Sequence, residues 1–241
     1  MTGELFAAAA AITAEFAPDG YGLAYGSHAS GLAGPNSDLD LVLIGRQRPE
    51  DARMRGLISR VVSLHHAFGL DLDTEVDYRT KLFATHEDVN AAVELRCFDQ
   101  VDGRFTPGPV VLESWWLNST EFGRRLLLNA LTSEHVFLGG DVQRYRFDRQ
   151  RAEHGIARLA VSMIGNPSLT IADAVEALSR SSVGACGKDF LGYTSSSYLH
   201  SAVAAGVSAL VRAGDLEVLP GLRVRATARS HRTTPHVCTG P

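Results

Sequence analysis

The segment YGSHASGLAGPNSDLDLVLIG, residues 25–45, decides how the chain reads. It opens at the end of a short apolar run, Tyr21 to Tyr25, which predicts a strand. Gly26 to Ser37 is rich in Gly, Ser, Pro and Asn and predicts a turn-rich loop with room for one helical turn. Asp38 to Ile44 alternates acidic and apolar residues and then becomes wholly apolar. That pattern predicts a second strand whose first part faces solvent or a cleft. Alternate residues on a strand project from one face, so Asp38 and Asp40 are expected side by side.

Two carboxylates so placed suit a specific chemistry. Mg²⁺ prefers hard oxygen ligands. Two such ions, about 4 Å apart, neutralise the attacking and leaving oxygens of an in-line displacement at phosphorus. Transfer of a nucleotidyl group from a nucleoside triphosphate, with loss of pyrophosphate, is a reaction of this kind. Gly26 allows the backbone to approach a phosphate, and Ser27 offers an N–H and a hydroxyl as donors. Ser37 either braces the start of the strand or is a simple turn serine, and His28 reads as a solvated loop residue. A Gly-Ser step alone is usually only a turn, and a lone Asp-x-Asp at a strand edge is usually solvated. It is their combination, with an apolar strand running on from the acids, that is specific.

Working outward, Asp51 to Phe68 has helical spacing, with Met54, Leu57, Ile58, Val61, Val62 and Leu64 as its apolar set and Gly69 as its C-cap. Leu70 to Tyr78 (LDLDTEVDY) alternates strictly and predicts a strand with Asp71, Asp73, Glu75 and Asp77 on one face, which must be wet or hold cations. Glu75, at mid-strand, is the favoured third carboxylate and the candidate base for an acceptor hydroxyl, with Asp73 next. Lys81 follows this strand; it can reach a triphosphate, but a surface lysine is the simpler reading.

Gly26, Ser27, Gly31, Ser37, Asp38 and Asp40 together resemble the signature of the DNA polymerase β-like nucleotidyltransferase superfamily: GS, a Gly-containing loop, then SDxD followed by apolar residues. The resemblance covers residues 20–80. It implies an α/β (α+β) core with a mixed sheet, two Mg²⁺ ions, an NTP donor and a third carboxylate on a later strand. By the same resemblance Asp38, Asp40 and Glu75, with Asp73 as the alternative, hold the metal, while Gly26, Ser27 and Ser37 lie at the nucleotide.

The rest of the chain is less specific. Leu5 to Phe16 predicts a helix ended by Pro18-Asp19-Gly20. Asp99 to Pro109 reads as a loop, and beyond Leu112 helical spacing recurs near 119–131, 148–164, 170–180 and 195–213. Residues 1–110 are therefore expected to form the catalytic domain and 111–215 a mainly helical C-terminal domain. Residues 216–241, which lose apolar periodicity, are expected to form a poorly ordered tail. Lys188 and Tyr193 fall in a Gly-rich break between helices; they are candidates for contacts to the donor nucleotide, or simply part of an interhelical loop. Trp115 and Trp116 offer a stacking surface or pack where the two domains meet.

Composition narrows the partners. The chain has 241 residues, 45% of them hydrophobic, and a formal net charge of −4. That balance gives no general attraction to a polyanion, so a small-molecule acceptor is favoured over a nucleic acid. The overall arrangement resembles small-molecule nucleotidyltransferases, including those that adenylylate aminoglycoside antibiotics. Cys97, Cys186 and Cys238 show no CxxC spacing and suit a reducing cytoplasm. No basic leader precedes an apolar run, and no run reaches the roughly 20 residues of a membrane span. Two rivals stay open: a transferase acting on RNA or on a protein side chain, and a non-catalytic nucleotide-binding partner protein.

Overall fold

The computed structural model describes residues 2–35, 37–72, 78–98, 100–101, 104–105, 119–164, 168–180 and 196–227. The chain opens with α1 (Thr2–Phe16), β1 (Tyr21–Tyr25), α2 (Gly26–Ser30) and β2 (Asp40–Gly45). There follow α3 (Asp51–Phe68), α4 (Tyr78–Lys81), β3 (Phe83–Thr85) and α5 (His86–Val93). A two-residue pairing of β4 (Gln100–Val101) with β5 (Arg104–Phe105) precedes α6 (Thr120–Thr132) and β6 (Val136–Gly140). The last elements are α7 (Val142–Ile164), α8 (Ile171–Arg180), α9 (Ser196–Ala213), β7 (Leu216–Leu219) and β8 (Arg223–Ala226). The architecture is a mixed β-sheet with associated helices, followed by a mainly helical C-terminal region.

The main sheet has the order β3-β2-β1-β6. β2 runs antiparallel to β1 and parallel to β3, and β6 runs antiparallel to β1. The β1–β2 register runs from Tyr21 opposite Ile44 to Tyr25 opposite Asp40. That last pair places the Asp40 carboxylate beside the turn at Gly26.

Side-chain alternation gives the sheet two buried faces. On one, Ala24, Leu39, Leu41 and Leu43 pack with Leu5, Ile12, Met54, Leu57 and Val61 from α1 and α3. On the other, Tyr21, Leu23, Tyr25, Val42 and Ile44 pack with residues of α5, α6 and α7. Leu57 and Val61 are fully buried; each contributes roughly 1.5–3 kcal/mol on folding. Asp40 falls on the β2 face that carries Val42 and Ile44, the side covered by the C-terminal helices.

Four expectations change. Residues 70–72, expected to open the acid-faced strand, lie outside any strand, and Tyr78, its expected end, begins α4; residues 73–77 lie outside the described residues, and β3, at 83–85, pairs in parallel with β2. β6 lies in a stretch that reads as helix-rich, yet it completes the sheet because Val136, Phe137 and Leu138 bury against β1 and α1. The helix expected near 148–164 begins earlier, at Val142. Residues 216–226, expected in a loose tail, form a hairpin held by Val224, which pairs with Leu169 through two backbone hydrogen bonds.

At the sheet end away from Asp40, α7 is tied down by polar contacts. The Tyr21 hydroxyl donates to Asp148 Oδ2 at 3.2 Å, and Arg144 Nε reaches the same oxygen at 2.8 Å. Burial, together with the Asp148 carboxylate, raises the Tyr21 pKa. His135 donates from Nδ1 to the Ser133 carbonyl and accepts on Nε2 from the Tyr145 hydroxyl, each at 2.7 Å. Burial lowers its pKa to about 4. The unfolded chain therefore binds a proton near pH 6.5 that the folded chain refuses until about pH 4. Stability is expected to fall by roughly 2 kcal/mol from this group between pH 7 and pH 4.5. Urea unfolding at the two pH values checks this, and His135→Asn should flatten that part of the slope.

Candidate active site

The site is assembled where β1 ends and β2 begins. Gly26 follows β1 directly, adopts φ +72° and starts α2. A Cβ built on it lies 2.1 Å from Asp40 Oδ2, so only glycine fits between this turn and that carboxylate. Ser27 is buried. Its carbonyl accepts from Leu32 N and from the Ser30 hydroxyl, which closes the turn. Ser37 organises the far end of the loop: its hydroxyl accepts from Gly34 N at 2.9 Å, which is a turn role. His28, half-buried, has Nε2 3.4 Å from the Ser37 carbonyl.

Asp38 precedes β2 and Asp40 is its first residue, with Leu39 buried between them on the opposite side. Both acids converge on one cation. Lys81 Nζ stands 3.1 Å from Asp38 Oδ2 and 2.9 Å from Asp40 Oδ1. The Lys81 side chain is only 6% exposed, against 27% and 16% for the two acids. Lys81 is therefore not the surface residue its place in the sequence suggests. Burial disfavours its ammonium form, but Asp40, Tyr25 and Asp38 outweigh burial and hold its pKa well above the usual lysine value.

Two carboxylates and one ammonium leave the trio with a single negative charge. Their oxygens already gather round a cation, and hard oxygen donors suit a divalent ion. Asp38 and Asp40 are the described residues that could hold a metal here. Among the described residues, no group of three or more His, Cys, Asp or Glu side chains stands close enough to hold one. Glu75 and Asp73, the expected third carboxylates, lie outside the described residues, as do Lys188, Tyr193, Trp115 and Trp116.

Two buried polar residues were not apparent from sequence. His65, on α3, accepts from the Leu39 amide at 3.1 Å. Its signal was present: it follows Val61 by four residues on the buried stripe of Met54, Leu57, Val61 and Leu64. Arg125, on α6, donates to the Cys97 carbonyl and lies over the Phe98 ring. Burial pushes the Cys97 thiol up to about 11, which fits packing rather than nucleophilic chemistry.

No described helix is long and apolar enough to cross a membrane. No curated protein and no solved structure matches the chain at a significant level. Residues 19–95, which span β1 through α5 and so include Gly26, Asp38, Asp40 and Lys81, match the family described as Nucleotidyltransferase domain. The chain thus carries, over part of its length, a nucleotidyltransferase domain consistent with the broad nucleotidyltransferase superfamily.

Proposed function

We propose that this chain moves an NMP group from a nucleoside triphosphate, with ATP favoured, to a hydroxyl of a small-molecule acceptor and releases pyrophosphate. The observation that carries this reading is the convergence of Asp38 and Asp40 on one cation beside the Gly26 turn. Asp38 and Asp40 would hold two Mg²⁺ ions, with Glu75, or Asp73 in its place, as the third carboxylate. Mg²⁺ bound there supplies charge neutralisation for the attacking and leaving oxygens.

The remaining roles belong to the chain itself. Gly26 keeps the backbone low against Asp40, leaving space for a phosphate. Ser27 donates to that phosphate, and Ser37 fixes the loop between the turn and the acids. Lys188 would contact the donor nucleotide. Glu75 accepts the proton of the acceptor hydroxyl. The formal net charge of −4 supports a small acceptor over a polyanionic one, and the scattered cysteines support a cytoplasmic setting.

The test is a thermal-shift screen of the four NTPs with and without Mg²⁺, followed by pyrophosphate release with candidate hydroxyl acceptors. A donor at about 100 times its Kd stabilises the folded state by roughly 2.7 kcal/mol, which a melting curve resolves. One NTP should stand out, and only with Mg²⁺. Absence of any Mg²⁺-dependent shift and of any pyrophosphate release refutes the proposal.

A further inference from the structure

We infer that His65 is a positioning residue for the carboxylate pair, holding the peptide between Asp38 and Leu39 so that both acids face one cation. The inference rests on the metal-binding role given to Asp38 and Asp40 above.

The His65 ring is fully buried near the end of α3. Nδ1 lies 2.8 Å from the Val61 carbonyl and Nε2 3.1 Å from the Leu39 amide nitrogen. A carbonyl can only accept and an amide N–H can only donate, so Nδ1 carries the proton, Nε2 is bare and the ring is neutral. The need for an acceptor comes from the strand register. Pairing with β1 stops at Asp40, so the Leu39 N–H lies beyond the ladder. Leu39 is 2% exposed, and a buried N–H left without a partner is costly.

Leu39 is thus anchored twice. Its side chain sits in the core formed with α1 and α3, and its amide sits on His65. The amide is in the peptide plane that carries Asp38, which itself lies outside the strand. Rotation of that plane swings the Asp38 carboxylate away from Asp40. His65 therefore acts on the acids through the backbone, as outer-shell partners of metal ligands do, where loss costs roughly 10–100-fold in metal affinity.

Two substitutions separate this role from simple packing. In His65→Gln the amide oxygen can reach the Nε2 position and accept from Leu39; in His65→Asn the shorter side chain reaches only the Nδ1 position. Both remove the ring. Mn²⁺ binding to the full chain with ATP present, followed by electron paramagnetic resonance, reads the site without turnover. His65→Asn is expected to weaken Mn²⁺ binding roughly 10–100-fold, and His65→Gln to restore most of it.

Equal weakening in both variants overturns the inference, because ring packing alone then explains the loss. Asp40→Asn serves as the reference. If it binds Mn²⁺ like the wild type, the metal reading itself fails. If it loses Mn²⁺ while His65→Asn binds normally, only the role of His65 fails. Should His65→Asn not fold, His65→Gln decides: near-native affinity supports the inference, and a loss as large as that of Asp40→Asn overturns it. Two-bond ¹H–¹⁵N spectra of the wild type add a check that needs no variant, since a ring protonated on Nε2 is incompatible with the inference.

Discussion

Asp40→Asn is expected to lower Mg²⁺-dependent pyrophosphate release by at least about 10³-fold, a loss of roughly 4 kcal/mol of transition-state stabilisation. Asparagine keeps the shape and one acceptor oxygen but removes the charge. The remaining oxygen can still accept from Lys81 Nζ, which stands 2.9 Å from the native carboxylate, and Asp38 stays as its second partner. The buried ammonium is therefore not stranded. Unfolding free energy is expected to fall by only about 1.5–3 kcal/mol, the scale of one hydrogen bond to a charged group. The pairing of a large kinetic loss with a small thermodynamic one is what marks a functional carboxylate. Denaturant unfolding beside the pyrophosphate assay measures both. Near-native turnover in this variant and in Asp38→Asn would sink the catalytic reading.

Gly26→Ala is expected to cost at least about 10²-fold in turnover for a different reason. The added methyl is placed 2.1 Å from Asp40 Oδ2 and 3.0 Å from its Cγ, so the carboxylate must move. A displacement near 1 Å at a reacting centre costs on the order of 10²-fold. The backbone also carries φ +72°, which adds about 1–2 kcal/mol of strain for a residue with a Cβ. Gly31 separates the two effects. It has φ +74°, and a Cβ added there would meet nothing within 4 Å. Gly31→Ala should therefore lose similar stability and keep turnover within a few-fold. Equal losses of turnover in the two variants would show that backbone strain, not crowding of Asp40, sets the effect.

The sheet around the site was largely legible. Tyr21–Tyr25, the Asp38–Ile44 segment and the helix 51–68 all carry periodic patterns that local physics enforces, and they appear where the periodicity puts them, within two residues. What escaped depends on tertiary neighbours. Lys81 sits in a four-residue helix, too short for a periodic signal, and its burial depends on tertiary neighbours, among them two acids more than forty residues earlier. β6 is short and ends in Gly139-Gly140, which locally reads as a turn; only the open edge of β1 makes it a strand. The alternation of 70–78 suggested sheet, yet residues 70–72 lie outside any strand, Tyr78 begins α4 and 73–77 lie outside the described residues; β2 pairs in parallel with Phe83–Thr85, and alternation alone cannot say which segment meets a given edge.

The placement of β6 bears on how the molecule is made. More than a hundred residues separate the end of β1 from Val136. At ordinary elongation speeds the ribosome needs on the order of ten seconds to synthesise that interval. Throughout it, one flank of β1 offers bare N–H and C=O groups beside an apolar surface, the kind of edge that recruits foreign strands. The nascent chain thus depends on its own late segment to seal an early one, and the sheet gains its final border only after α6 has been made and before α7 to α9 follow.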